Sequence, residues 1–330
     1  MSLKAGDKLC VMRIVLLGVL SCFTLGAQVA FVQEDGDMKV QINGKDFTRL
    51  YYGPQGNKPY LHPLRSASGK MVTRRYPMDP QVPGESSDHP HHRGLWFSHG
   101  AVNGIDYWAN EPSQMKGKQG RIVLDHVIEA KGGRKSGELH VAFRWITPQI
   151  KQVLAEDRRM IFYADSANRI IDFDIRLTAI EDAVFGDTKE GLFAMRVAAG
   201  LEEPAPKSPE DPKRTGVMMS PAGCHTEKEC WGKRANWMDY AGEVDGEKLG
   251  VAIFDHPENL QHPTFWHVRG GGLFAANPFG LHDFQNEPGA TKGEFKLVKG
   301  QELRLRYRVV IHSGDAAGAG LAAMYAAWAK

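Results

Sequence analysis

In RIIDFDIRLTAI, residues 169–180, apolar and polar side chains alternate without a break. Ile171, Phe173, Ile175, Leu177 and Ala179 fall on one side, and Asp172, Asp174, Arg176 and Thr178 on the other. A helix would spread this pattern around its circumference, whereas a strand resolves it into one apolar and one wet face. ELRLRYRVVIH, residues 302–312, repeats the arrangement, with Leu303, Leu305, Tyr307 and Val309 opposite Arg304, Arg306 and Arg308. Strands wetted on one face belong to antiparallel sheets. Asp35-Gly36, Asn43-Gly44, Gly132-Gly133, Asp245-Gly246 and Lys299-Gly300 supply hairpin turns between further alternating segments. Only AAGAGLAAMYAAWAK at the C-terminus reads as a helix. The pattern predicts an all-β protein, a large antiparallel β-sandwich with a short C-terminal helix.

The N-terminus departs from this pattern. Met12-Arg13 precedes IVLLGVLSCFTLGA, a basic start, an apolar middle and a small-residue end. Residues 1–27 therefore read as a signal peptide, and 28–330 as one sandwich domain with a proline-rich loop, EEPAPKSPEDPKR, at 202–214. The expected location is periplasmic or secreted, with a lipoprotein anchored at Cys22 as the alternative. No membrane contact is expected beyond export. Removing 1–27 takes the balance from 41 basic and 39 acidic residues to 38 of each. A nucleic-acid partner is not expected of a chain without a basic excess. Two cysteines remain, Cys224 and Cys230, and they read equally as a small closed loop or as two thiols.

Three segments concentrate chemistry. SSDHPHHRGLWFSHG, residues 86–100, holds His89, His91, His92 and His99 beside Asp88, Arg93 and Trp96. Burying so many polar groups costs free energy unless each has a partner or a task. Imidazole, titrating near neutrality, serves as acid, base or metal ligand. Proline after His89, His62, His256 and His262 should hold each of these histidines on extended backbone, although His-Pro also simply marks loop entries. A second segment, residues 255–284, supplies His262, Trp266, His267 and Arg269. On a strand TFWHVR, Phe265, His267 and Arg269 share one face and Trp266 and Val268 the other. The third, FGDTKEGLFAMRVAAG, offers Asp187 and Glu190 in a turn and Arg196 on the strand after it. Acidic residues are commonplace in turns, so these carry weight only beside the histidines.

DHPHHRGLWFSHG, GDTKEGLFAMRVA and IFDHP…HPTFWHVR…LFAANPFG resemble the PmoA-like family, otherwise a domain of unknown function, over about residues 50–312. The resemblance implies an exported supersandwich similar to the galactose-mutarotase type, from bacteria rich in carbohydrate-degrading genes. It carries no established catalytic residues. Methane oxygenation is not expected, because oxygenase subunits cross the membrane several times and this chain has one short apolar run.

The leading expectation is an enzyme acting on a carbohydrate or uronate as a lyase, hydrolase or epimerase. His91, His92, Glu190 and His267 would carry acid/base catalysis. His89, Arg93, Trp96, His99, Asp187, Arg196, His262, Trp266 and Arg269 would bind a small-molecule or oligosaccharide ligand. No cofactor is expected. The first alternative is a divalent metal ion held by His89, His91 and His99. The second is a non-catalytic carbohydrate-binding protein with Trp96, Trp108 and Trp266 as stacking platforms.

Overall fold

The computed structural model describes residues 28–330 apart from 55, 81, 83, 115, 205–213 and 286–291. The expected signal peptide, Cys22 and most of the proline-rich loop fall outside the described residues. The first strands are β1 (Val29–Glu34), β2 (Asp37–Ile42), β3 (Lys45–Tyr51), β4 (Tyr60–His62) and β5 (Leu95–His99). Four long strands follow: β6 (Arg121–Lys131), β7 (Ser136–Ile146), β8 (Gln152–Tyr163) and β9 (Arg169–Ala179). Then come β10 (Ala183–Phe185), β11 (Gly191–Arg196), β12 (Val217–Met219), β13 (Trp237–Val244) and β14 (Glu247–Asp255). The last are β15 (Phe265–Val268), β16 (Leu273–Asn277), β17 (Phe295–Leu297) and β18 (Glu302–Ser313). Among the described residues the α-helices are α1 (Glu227–Cys230) and α2 (Leu281–Gln285), between strands, and the expected C-terminal α3 (Leu321–Trp328) after β18.

Two eight-stranded sheets form the sandwich. The first runs β1-β2-β3-β4-β5-β11-β16-β15 and the second β12-β13-β14-β18-β9-β8-β7-β6, with β10 and β17 paired separately. Every strand pairing is antiparallel. The alternation on β9 and β18 places Ile171, Ile175, Leu177, Leu305 and Val309 in one core with Leu95, Phe97, Leu192, Phe193 and Trp266 of the facing sheet. Asn43-Gly44 and Asp245-Gly246 make two of the hairpin turns with both residues at positive φ, as the twist of two-residue hairpins requires. The Cys224–Cys230 disulfide is formed and closes a short loop that carries α1.

The outer face of the first sheet positions the site. Register places Tyr51, Tyr60, Trp96, Ala194, Ala275 and His267 opposite one another across six strands. Aromatic rings occupy one end of this row and His267 the other. The two alanines between Trp96 and His267 leave room that larger side chains would fill.

Candidate functional site

The histidine-rich segment lies over this row, and its shape comes from a buried arginine far from it in sequence. Arg74 is fully buried. Its Nη1 donates to the Asp88 carbonyl and to Asp88 Oδ1, both at 2.8 Å, and its Nη2 donates to the His89 carbonyl at 2.9 Å. These bonds draw residues 88–92 into a turn closed by His92 N–H to the His89 carbonyl at 3.0 Å. His89 is therefore at φ 46°, not on the extended backbone expected before proline. Gly94 ends the turn at φ 51°, where an added Cβ would lie 2.1 Å from the Leu61 carbonyl oxygen. Only glycine fits there.

Within the turn, His92 is stacked between His89 (ring centroids 4.8 Å apart) and Trp96 (5.1 Å). Arg196, at the end of β11, donates to His92 Nδ1 at 3.2 Å and to Asp88 Oδ1 at 2.9 Å. A guanidinium only donates, so His92 Nδ1 is an acceptor and its proton sits on Nε2. His267 has the opposite tautomer. Its Nδ1 is 2.8 Å from the Lys189 carbonyl oxygen, which only accepts, so Nδ1 carries the proton and Nε2 keeps its lone pair.

Asp88, His89, His92, Lys189, Glu190, Arg196, His267, Arg269, Gly271 and Leu273 line one cavity of about 350 Å³. The three segments singled out in the sequence thus meet. A second cavity of about 300 Å³ adjoins it, sharing Asp88, Arg196 and Gly271 and adding Ser86, Glu202, Glu203 and Arg214.

The cavity separates its titratable groups by environment. Burial, with a smaller push from Arg269, lowers His267 to about 3, so this base is neutral at ordinary pH. Burial likewise holds His92 well below its usual value, assisted by His91 and Arg196. Burial raises the Glu190 carboxyl, against the opposing charge of Lys189. Burial acts on Asp88 in the same direction but is outweighed by the His89 hydrogen bond and the Arg196 charge, which hold it well below the carboxylate range. Asp88 is a fixed anion, Glu190 a carboxyl that retains its proton to higher pH, and His267 a free base.

Several expected residues lie elsewhere. His91 is buried beside the stack, edge-on to His92 at 4.4 Å, and does not line the cavity. Arg93 forms a two-pronged pair with Glu111, both contacts at 2.7 Å. Trp96 and Trp108 are each only 1% exposed and pack against each other, so neither is a stacking platform. Trp266 alternates into the main core and donates from Nε1 to the Ala235 carbonyl. His99 packs against Phe185 and Phe279, with Nε2 bonded to the Gly186 carbonyl. His89, His91 and His99 are not gathered as a ligand set: no group of three ligating side chains suited to a metal occurs among the described residues. Asp187 spends both oxygens on backbone N–H groups, of His282 and Gly293. His262 pairs with buried Asp255 at 2.7 Å, away from the cavity.

Asp88, Lys189 and Gly271 line the cavity without having been assigned a role. Asp88 and Lys189 stand inside quoted motifs, and their residue types alone could have marked them. Arg74 and Glu202 carry no sequence signal, because their roles arise from packing across the fold.

The profile of a family described as a family of unknown function, DUF6807, matches residues 37–326. The chain belongs to DUF6807. That match replaces the resemblance to the PmoA-like family: the motifs quoted from this chain are those of a DUF6807 member. No curated protein matches this DUF6807 chain. Solved structures similar to it include a GH36 alpha-galactosidase, AgaA, from Geobacillus stearothermophilus, 8% identical with a TM-score of 0.41, covering 88% of this chain and 41% of that one. A galactose mutarotase related enzyme from Lactobacillus acidophilus is 9% identical with a TM-score of 0.30, covering 86% and 97%. An alpha-galactosidase from Lactobacillus brevis is 11% identical with a TM-score of 0.36, covering 87% and 40%. The chain thus spans about two fifths of the length of the galactosidases.

Proposed function

We propose that this chain is an exported enzyme that moves a proton on a sugar or uronate, with His267 as base and Glu190 as acid. The observation that carries this reading is a free imidazole nitrogen and a carboxyl raised by burial in one cavity. His267 presents an unprotonated Nε2, while Glu190, raised by burial, keeps its proton to higher pH. Groups driven apart in this way divide acid from base roles. Arg196, Arg269 and Lys189 supply positive charge for a substrate carboxylate or a developing enolate.

Epimerisation or elimination beside a carbonyl or carboxylate fits this set better than glycoside hydrolysis. Hydrolysis uses two carboxyl groups, one of which gives up a proton. Asp88, the carboxylate that would have to attack or activate water opposite Glu190, has both oxygens engaged, Oδ1 by Arg74 and Arg196 and Oδ2 by His89, and Asp187 is occupied by backbone N–H groups. The binding-protein alternative loses its platforms, since all three tryptophans are buried. The Cys224–Cys230 bond supports the export part of the proposal, because such bonds persist in oxidising compartments.

The test is incubation of the protein with panels of aldoses, uronates and their oligomers in deuterated water, followed by NMR. Deuterium incorporation at a carbon, or a new double bond, is expected. His267→Gln should slow it by roughly 10²–10⁴-fold, the usual worth of a positioned acid or base. Saccharide binding with no exchange or turnover on any panel would overturn the proposal in favour of a binding module.

A further inference from the structure

The second cavity has no part in the proton transfer, yet it adjoins the first. Asp88, Arg196 and Gly271 line both. The space beside Gly271, between the two, is open: a Cβ added there would have only Arg196 Nη2 within 4 Å, at 3.7 Å. Each compartment, at about 350 and 300 Å³, sits at the low end of the range for small-molecule pockets, about 300–1,000 Å³. Each is therefore suited to one ring-sized group, and the pair to two linked groups.

The walls of the second compartment are polar and incompletely satisfied. Glu202 is 2% exposed and lines it, and its Oε1 has no hydrogen-bond partner. Its other oxygen lies 3.0 Å from Arg214 Nε. A buried carboxyl oxygen without a donor is costly, and a ligand hydroxyl would satisfy it. The two compartments also differ in charge. The first sets Lys189, Arg196 and Arg269 against Asp88 and Glu190, an excess of one cation even when Glu190 is ionised. The second sets Arg196 and Arg214 against Asp88, Glu202 and Glu203, an excess of one anion when Glu202 is ionised and a balance when it is protonated.

We infer that the site is bipartite and takes at least a disaccharide, with an acidic unit in the first compartment and a neutral, hydroxyl-rich unit in the second, its hydroxyls bonded by Glu202. The inference rests on the saccharide reading above and deepens it. Arg196, at the junction, reaches both units, so the linkage crosses beside Asp88 and Gly271.

Calorimetric titration of the whole chain tests this with glucuronic acid, a disaccharide of glucuronic acid and a neutral hexose, and a disaccharide of two glucuronic acids. The mixed disaccharide should bind at least tenfold more tightly than the monosaccharide, and the doubly acidic one should lose most of that gain. Ser86→Trp, which fills the second compartment, and Glu202→Gln should each bring the ratio of the two affinities towards one. A purely structural effect of either variant would weaken both ligands in proportion and preserve the ratio. Equal wild-type affinities, or a preserved ratio in both variants, would overturn the bipartite site and leave the proton-transfer reading standing. Failure of all three ligands to bind would overturn both.

Discussion

At the scale of single residues, function turns on which nitrogen of an imidazole carries the proton. His267 and His92 are both buried and neutral, yet their partners give them opposite tautomers: a carbonyl faces Nδ1 of the first, a guanidinium Nδ1 of the second. The same logic divides the carboxyls, since the His89 hydrogen bond and the Arg196 charge hold Asp88 ionised while burial raises Glu190. The base is available above about pH 3, and the acid below a value raised from 4.5. A pH–rate profile of kcat/KM should therefore be a bell centred on the acidic side of neutrality. Glu190→Gln should remove its alkaline limb along with most of the rate. A profile rising to a plateau above pH 8 would contradict these roles.

At the scale of elements, the site depends on a turn shaped from outside itself. Arg74 gathers the carbonyls of the 88–92 turn and the Asp88 carboxylate, so the stack of His89, His92 and Trp96 exists only with it in place. Arg74→Met should cost about 1–3 kcal/mol, the range for leaving a buried carbonyl oxygen of the turn without its donor. Urea denaturation would show this as a lower midpoint with an unchanged slope, and an unchanged midpoint would contradict it. Strand parity, legible in the sequence, put His267 and Trp266 on opposite faces but did not show that Trp266, assigned to the ligand, faces the core. It could not tell that the outer face beneath the histidine turn is itself covered. For that reason Trp96 and Trp108 proved buried although they looked available for stacking. His99 was misplaced for another reason: proximity in sequence to His92 says nothing of direction once a strand begins.

For the molecule as a whole, alternation and hairpin signals made the sandwich legible, because each strand's apolar face must meet the opposite sheet. The meeting of three distant segments in one cavity was anticipated from their residue types. The second cavity was not, since Glu202, Arg214 and Ser86 come together only through the fold. Burying so many histidines has a consequence for stability. His91 and His267 are lowered to about 3 and His99 to about 4, in each case first by burial, whereas each titrates near 6.5 in the unfolded chain. Below pH 6.5 the unfolded chain binds protons that the folded one refuses, so stability falls as pH falls. Glu202 runs the other way: burial raises it from 4.5 to about 7, so the stability linked to its proton is complete below 4.5 and lost as pH rises through 7. Three groups outweigh one, and unfolding at pH 4.5 should show a loss of a few kcal/mol relative to pH 7. Equal or greater stability at pH 4.5 would contradict this burial pattern.

The account stands on one ligand touching all three segments at once. Titration of ¹⁵N-histidine-labelled protein with the mixed uronate–hexose disaccharide, followed by NMR of the ring nitrogens, measures that directly. His89, His92 and His267, which line the cavity, should shift along one curve with a single dissociation constant, and His126, paired with Asp125 on an exposed strand, should not move. Shifts confined to one segment, or separate dissociation constants for His92 and His267, would mean that the three segments do not form one site.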